Sequence, residues 1–147
     1  MISAIKSIKR VFSQNAGGSS GAAINLVGSP CEIQLAASDE STALTAGTAK
    51  VSFRMPFAMT LTEVRASLVT AQASGSTFTV DINEAGLSVL STRLTIDNTE
   101  LTSVTAATPP VISDSALADD ALITIDIDIV GDGTAKGLKV LLKGTRA

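Results

Sequence analysis

The chain of 147 residues contains no histidine, no tryptophan and no tyrosine. Without histidine it can form neither a Ser-His-Asp or Cys-His catalytic site nor a metal site with imidazole ligands. Without tryptophan and tyrosine it lacks the usual platforms on which sugars and bases stack, and phenylalanine occurs only four times. These absences predict a protein that is not an enzyme and that binds no cofactor.

Three further features are scarce. The single cysteine, Cys31, rules out a disulfide framework within one chain, and we expect it to be a small buried apolar residue. No apolar run approaches the roughly 18 residues of a membrane span. No basic block is interleaved with aromatic residues, so the sequence predicts binding to neither a membrane nor nucleic acid.

Charge is also low. Charged residues make up 17% of the chain and hydrophobic residues 45%, with a net charge of −3. Soluble domains usually carry about a quarter of charged residues, so this composition suggests that another protein covers part of the surface. The alternative is a monomer with a surface rich in alanine and threonine. The length fits one domain with a sizeable core.

The first 22 residues differ from the rest and predict an anchoring arm followed by a flexible Gly/Ser linker at 15–21. Apolar residues recur at helical spacing with basic residues between them, which indicates a short amphipathic helix or an arm that becomes ordered on a protein partner. A disordered tail is the alternative. The predicted partner-binding residues are Ile2, Ile5, Lys6, Ile8, Lys9, Arg10 and Phe12.

Residues 122–129 give the clearest strand signal, because isoleucine occupies 123, 125, 127 and 129 in strict alternation. We expect these isoleucines to share a buried face. The segment 138–142 follows after a Gly-Asp-Gly turn, which predicts a hairpin. Its register would place Ile125 opposite Val140, Ile123 opposite Leu142 and Asp126 opposite Lys139.

Shorter strand signals fill residues 23–121. Segments 50–57, 77–83, 87–90 and 93–97 read as strands, and 59–70 reads as a strand with a bulge near Glu63 rather than as a helix. Segments 101–106 and 109–112 are weaker, and 114–120 is a connection with at most one helical turn. In 23–35 we expect Ile24, Leu26, Ile33 and Leu35 to face inward. The pattern predicts an all-β fold in which residues 23–147 form one antiparallel β-sandwich, with a jelly-roll the first choice of topology.

Aspartates at 81, 126, 128 and 132 allow one further interpretation. Carboxylate oxygens are calcium ligands, but the spacing and the terminal glutamate of an EF-hand loop are missing. A solvated strand face with one turn residue explains the same aspartates, and we assign no metal site.

Residues 48–68, 76–83, 88–92 and 122–146 resemble modules of tailed-bacteriophage virion proteins. Those modules are jelly-roll-like sandwiches of decoration proteins, appendages and fibre tips. The resemblance implies a homo-oligomer, preferably a trimer, located in the virion. With the arm and linker, it favours a capsid decoration or head-fibre protein that binds other virion proteins through the arm. A tail-associated fibre tip that binds a receptor is the alternative.

Overall fold

The computed structural model describes residues 24–147, so the predicted arm, its linker and the domain boundary after residue 22 lie outside the described residues. The described chain is all-β, with one 3-10 turn at Ser103–Thr105. The strands are β1 (Pro30–Ala36), β2 (Gly47–Arg54), β3 (Met59–Ser67), β4 (Phe78–Glu84), β5 (Leu87–Ser88), β6 (Leu90–Thr92), β7 (Leu94–Ile96), β8 (Val111–Ile112), β9 (Ala116–Leu117), β10 (Leu122–Ile129) and β11 (Lys139–Arg146).

Two antiparallel sheets form the sandwich. The first has the order β1-β11-β3-β9, and the second has the order β2-β10-β4-β5, with β7 also paired to β4. Strands β6 and β8 form a small separate ladder. The chain therefore alternates between the sheets, from β1 to β4 and again from β9 to β11. This alternation is the jelly-roll winding, so the predicted fold class is confirmed.

The core lies between the two sheets and is built from alternate residues of their central strands. On β10, Ile123 and Ile125 are completely buried, and on β11 the same holds for Val140 and Leu142. Phe78 of β4 is the largest side chain with no exposed surface. Period-two alternation thus gives each strand one apolar face toward the other sheet, as the sequence predicts.

The predicted hairpin between residues 122–129 and 138–142 is wrong. Strand β10 pairs with β2 and β4, whereas β11 pairs with β1 and β3. The two strands lie in different sheets, because the connection between them crosses the sandwich instead of turning back. Their apolar faces do meet, but across the core. Asp126 consequently stands opposite Asp81 of β4, not opposite Lys139.

A bulge in β3 is confirmed where the sequence predicts it. Lys143 pairs with Glu63, but Gly144 pairs with Leu61, so Thr62 is an extra residue in β3. The bulge returns the apolar positions on both sides of it to the core face. Gly144 is required there, since a Cβ at this position would overlap the Thr60 carbonyl oxygen.

Other expectations fail at particular residues. Ile24 is 71% exposed and Leu26 is 44% exposed, because the segment before β1 lies outside the sandwich. Ile129 is also exposed, since the register of β10 against β4 shifts after Ile127. The connection 114–120 contains β9 rather than a helical turn, and 101–106 contains the 3-10 turn rather than a strand.

Candidate functional site

The residues predicted to bind a partner all precede residue 24 and lie outside the described part of the chain. These residues are Ile2, Ile5, Lys6, Ile8, Lys9, Arg10 and Phe12, and their role stays a prediction. Within residues 24–147, the candidate features are polar networks on the outer faces of the two sheets, a loop junction around Asp132 and Gln72, and a groove beside β3.

Arg93 organises the outer face of the second sheet. Its Nη2 atom lies 3.1 Å from Asp81 Oδ2 on β4, and its Nε atom lies 2.6 Å from Asp128 Oδ2 on β10. The Asp81 side chain is only 5% exposed, and its other oxygen accepts hydrogen bonds from the Ile82 amide and the Ser88 hydroxyl. One guanidinium thus ties two strands together through two carboxylates.

Asp126 belongs to the same surface but uses different donors. Its Oδ1 atom accepts a hydrogen bond of 2.7 Å from the Ala49 amide at the start of β2, and its Oδ2 atom accepts one of 3.1 Å from Asn83 Nδ2. Asp126 therefore links the edge strand β2 to β4 across β10. Asp126 and Asp81 are register partners and carry like charges. Each carboxylate is compensated by its own set of donors, which reduces the repulsion between them.

The electrostatics of this surface favour structure over metal binding. Desolvation raises the pKa of Asp128. The nearby Arg93 guanidinium lowers this pKa, whereas the negative charges of Asp81 and Asp126 raise it further. No three His, Cys, Asp or Glu side chains within residues 24–147 are placed to share a metal ion. The aspartates of the calcium interpretation are instead distributed between an arginine, backbone amides and an asparagine.

Asp132, the fourth aspartate of that interpretation, lies apart and fastens two loops. Its Oδ1 atom accepts hydrogen bonds from the amide and hydroxyl of Thr134, and its Oδ2 atom accepts 2.9 Å bonds from the amides of Ala73 and Ser74. Hydrogen bonds to Thr134, with smaller contributions from Ala73 and Ser74, hold the pKa of Asp132 well below its usual range.

Gln72 lies beneath this junction and is completely buried. Its Nε2 atom donates to the Ser76 carbonyl oxygen at 2.8 Å and to Asn98 Oδ1, while its Oε1 atom has no hydrogen-bond partner in the described structure. Gly131, with φ of +54°, passes so close that a Cβ there would overlap Gln72 Oε1. Three loops therefore pack around one amide.

A groove of about 480 Å³ runs beside the bulged part of β3. Val104 and Val111 on its walls are 61% and 50% exposed, and Pro109 and Pro110 form part of one wall. Sequence reasoning missed this groove, because the walls that face β3 come from the two weak segments 101–106 and 109–112. The remaining lining residues are Thr62, Glu63, Val64, Arg65, Ser103 and Ile112.

The outer face of the first sheet carries paired charges. Lys143 Nζ lies 3.4 Å from Glu32 Oε1 on β1 and 3.6 Å from Glu63 Oε2 on β3. Arg65 also pairs with Glu63, and its hydrogen bond is the main cause that lowers the pKa of that carboxyl. Charges of opposite sign thus alternate across three neighbouring strands.

Comparison with protein-family models, with curated proteins and with solved structures finds no match to this chain. Among residues 24–147, no helix has the length and apolar character needed to cross a membrane.

Proposed function

We propose that this chain is a non-enzymatic structural protein of a tailed-bacteriophage virion, of the capsid decoration or head-fibre type. Its arm would attach it to other virion proteins, and its sandwich would project from or bridge them as a homo-oligomer. The observation that carries the proposal is the jelly-roll winding of residues 30–146, which is the fold that the sequence resemblance implies.

The use of charged groups supports a structural role. Arg93 joins Asp81 to Asp128, Lys143 joins Glu32 to Glu63, and Asp132 fastens two loops. Each of these carboxylates is ion-paired or hydrogen-bonded within the sandwich. Fold alone does not define function, so the assignment depends on the resemblance together with the arm and linker.

Deletion of residues 1–14 tests the proposed anchor. We expect the truncated chain to keep the β-sheet circular dichroism signal and the melting temperature of the full chain, because the sandwich starts after the linker. We also expect it to be absent from purified particles. The measurement is the copy number per virion, by quantitative gel or mass spectrometry, of particles assembled with either form.

A matched control replaces Lys6, Lys9 and Arg10 by glutamine and leaves the apolar residues of the arm in place. Partial loss of incorporation would assign part of the attachment to charge. Incorporation of the deletion variant at the normal copy number would show that the arm is not the anchor.

The groove beside β3 favours the second candidate, a tail-associated fibre tip that binds a receptor, because exposed apolar side chains in a concave surface suit ligand binding. Electron microscopy of virions with a label on the C-terminus distinguishes the candidates. Label on the capsid surface supports the decoration role, whereas label confined to the tail supports the fibre tip.

A further inference from the structure

The two lateral edges of the sandwich differ in how completely the core residues are buried. On one side the sheets end in β9 and β7, where Leu117, Leu94 and Ile96 are at most 1% exposed. On the other side they end in β1 and β2, whose inward apolar residues remain half-buried. These residues are Cys31, Ile33 and Leu35 on β1 and Val51 and Phe53 on β2. Within the described chain, the core is therefore incompletely covered along β1 and β2.

Within residues 24–147, strand β1 also has an unpaired hydrogen-bonding edge. At its two ends, the Arg146 amide donates to the Ser29 carbonyl at 2.9 Å, and the Ala37 amide donates to the Leu138 carbonyl at 2.8 Å. Because bonding alternates along an antiparallel ladder, the odd-numbered residues of β1 bond to β11. Glu32, Gln34 and Ala36 thus direct their amides and carbonyls away from β11, where no strand of the described chain pairs with them.

Nothing in β1 protects this edge. Proteins usually block exposed edges with lysines, internal prolines or bulges. Strand β1 pairs with β11 over seven consecutive residues without a register shift, its only proline is Pro30 at the start, and its only charge is Glu32. Strand β2, by contrast, is interrupted by Ala49 with φ of +48° and by a register shift opposite Ile125–Ile127. The edge suited to pairing is therefore β1.

We propose that β1 pairs antiparallel with β1 of a second copy of this chain, with Gln34 opposite Gln34 of the second copy. Other two-fold registers also pair the even-numbered residues of the two strands. One centred on Glu32 would bring two carboxylates together, and one centred on Ile33 would place Pro30, which has no amide hydrogen, in a bonded pair. One centred on Leu35 would overlap the two strands only over residues 34–36. In the register centred on Gln34, the bonded pairs are Gln34 with Gln34 and Glu32 with Ala36, and the two first sheets become continuous.

Charge and apolar contacts fit this register. Glu32 would face the small, uncharged Ala36 of the second copy, so no like charge opposes it in the neighbouring strand. The residue beyond Ala36 on β11 is Lys139, which pairs with Glu40 of its own chain. On the inward face, Ile33 would lie beside Leu35 of the second copy, which covers side chains that are half-buried in one chain. A two-fold contact uses the same surface twice, as this strand requires.

The pairing does not depend on the proposed function, since it follows from the edge of one sheet. It does constrain the assembly. A trimer of the kind that the resemblance implies would use another surface, and pairing through β1 would then join two trimers. The number of chains in solution is therefore even. Light scattering of the full chain after size-exclusion chromatography should give the mass of an even number of chains. A mass of one or three chains would overturn the proposal.

Two variants at one position test the contact itself. Gln34→Pro removes an amide that β11 does not use, and we expect it to halve the number of chains. Gln34→Thr keeps the amide and suits a strand, so it should retain the native mass. Circular dichroism establishes that each variant is folded. A folded Gln34→Pro variant with the native mass would contradict the pairing.

A pair of charge variants tests the register without proline. Ala36→Glu should oppose Glu32 of the second copy at two symmetric positions and weaken association roughly five-fold. Adding Glu32→Gln to the same chain should restore association, because it removes the facing carboxylate without placing a second cation opposite Lys143. Sedimentation velocity gives the association constants. Equal constants for the single and double variants would reject this register, even if Gln34→Pro failed to fold.

Discussion

Among single residues, Arg93 has the widest effect on the second sheet, because its side chain contacts carboxylates of two strands. It is the single residue between β6 and β7, and half of its side chain is exposed, yet it compensates Asp81, which is almost completely buried. A buried carboxylate is stable in its charged form only when it is paired and hydrogen-bonded. The second sheet therefore depends on a cation that comes from outside its two central strands.

Replacement of Arg93 by alanine should lower the free energy of unfolding by about 1–3 kcal/mol, because a buried carboxylate loses its charged partner. Urea denaturation at pH 7, followed by circular dichroism, measures this loss. Arg93→Lys should lose less, since lysine keeps the charge but cannot donate to Asp81 and Asp128 in fork geometry. Unchanged stability of Arg93→Ala would show that water compensates Asp81.

At the scale of elements, β10 is the centre of the second sheet, with β2 on one side and β4 on the other. Its inward face is fully covered by the first sheet, and its outward face carries Asp126 and Asp128. One face of the strand therefore packs in the core, and the side chains of the other face bind neighbouring strands by hydrogen bonds and an ion pair. An inward change in β10 should be much more costly than an outward change in its neighbour.

Replacement of Ile125 by aspartate should unfold the domain. Ile125 is completely buried, and an unpaired carboxylate there costs several kcal/mol, which is comparable with the whole stability of such a domain. The matched control is Ser52→Asp, at an exposed position of the adjacent strand β2, and it should melt near the native temperature. Thermal melting compares the two variants, and a native melting temperature for Ile125→Asp would contradict the described core.

At the scale of the whole molecule, two aspartates link stability to acid. Hydrogen bonds from Thr42 and Ser41 lower the pKa of Asp39, as those from Thr134 lower the pKa of Asp132. A carboxyl with a lowered pKa in the folded state stabilises the protein above its unfolded-state pKa of about 4 and loses that contribution as the pH falls below it. Loop closure in this sandwich should therefore weaken in acid.

Replacement of Asp132 by asparagine should make the melting temperature less dependent on pH below about 4 and should lower it at pH 7. Melting curves between pH 2.5 and 7 provide the comparison. Asp119→Asn, at an exposed position before β10, is the control and should follow the native profile. An Asp132→Asn profile parallel to the native one would show that the loop junction does not titrate.

Local patterns in the amino-acid sequence are enough to predict which side of each main strand is buried. Alternation has a period of two residues, so Ile123, Ile125, Val140 and Leu142 are assigned to the core without knowledge of any neighbour. The parity change in 59–70 likewise predicted the bulge in β3, because apolar residues on both sides of it need the same face. The all-β class, too, follows from such local patterns.

Which strands become neighbours could not be predicted in this way and is known from the folded arrangement. Several strands share the same apolar alternation, so parity permits many pairings, and a short turn signal favoured the wrong one for β10 and β11. The pairing of β10 with β4 places Asp128 near Asp81, where Arg93 contacts both, and the order of the first sheet leaves β1 at an edge. Burial is a property of a residue and its periodicity, whereas pairing depends on competition among distant segments for the same edges. That competition cannot be read from one segment alone.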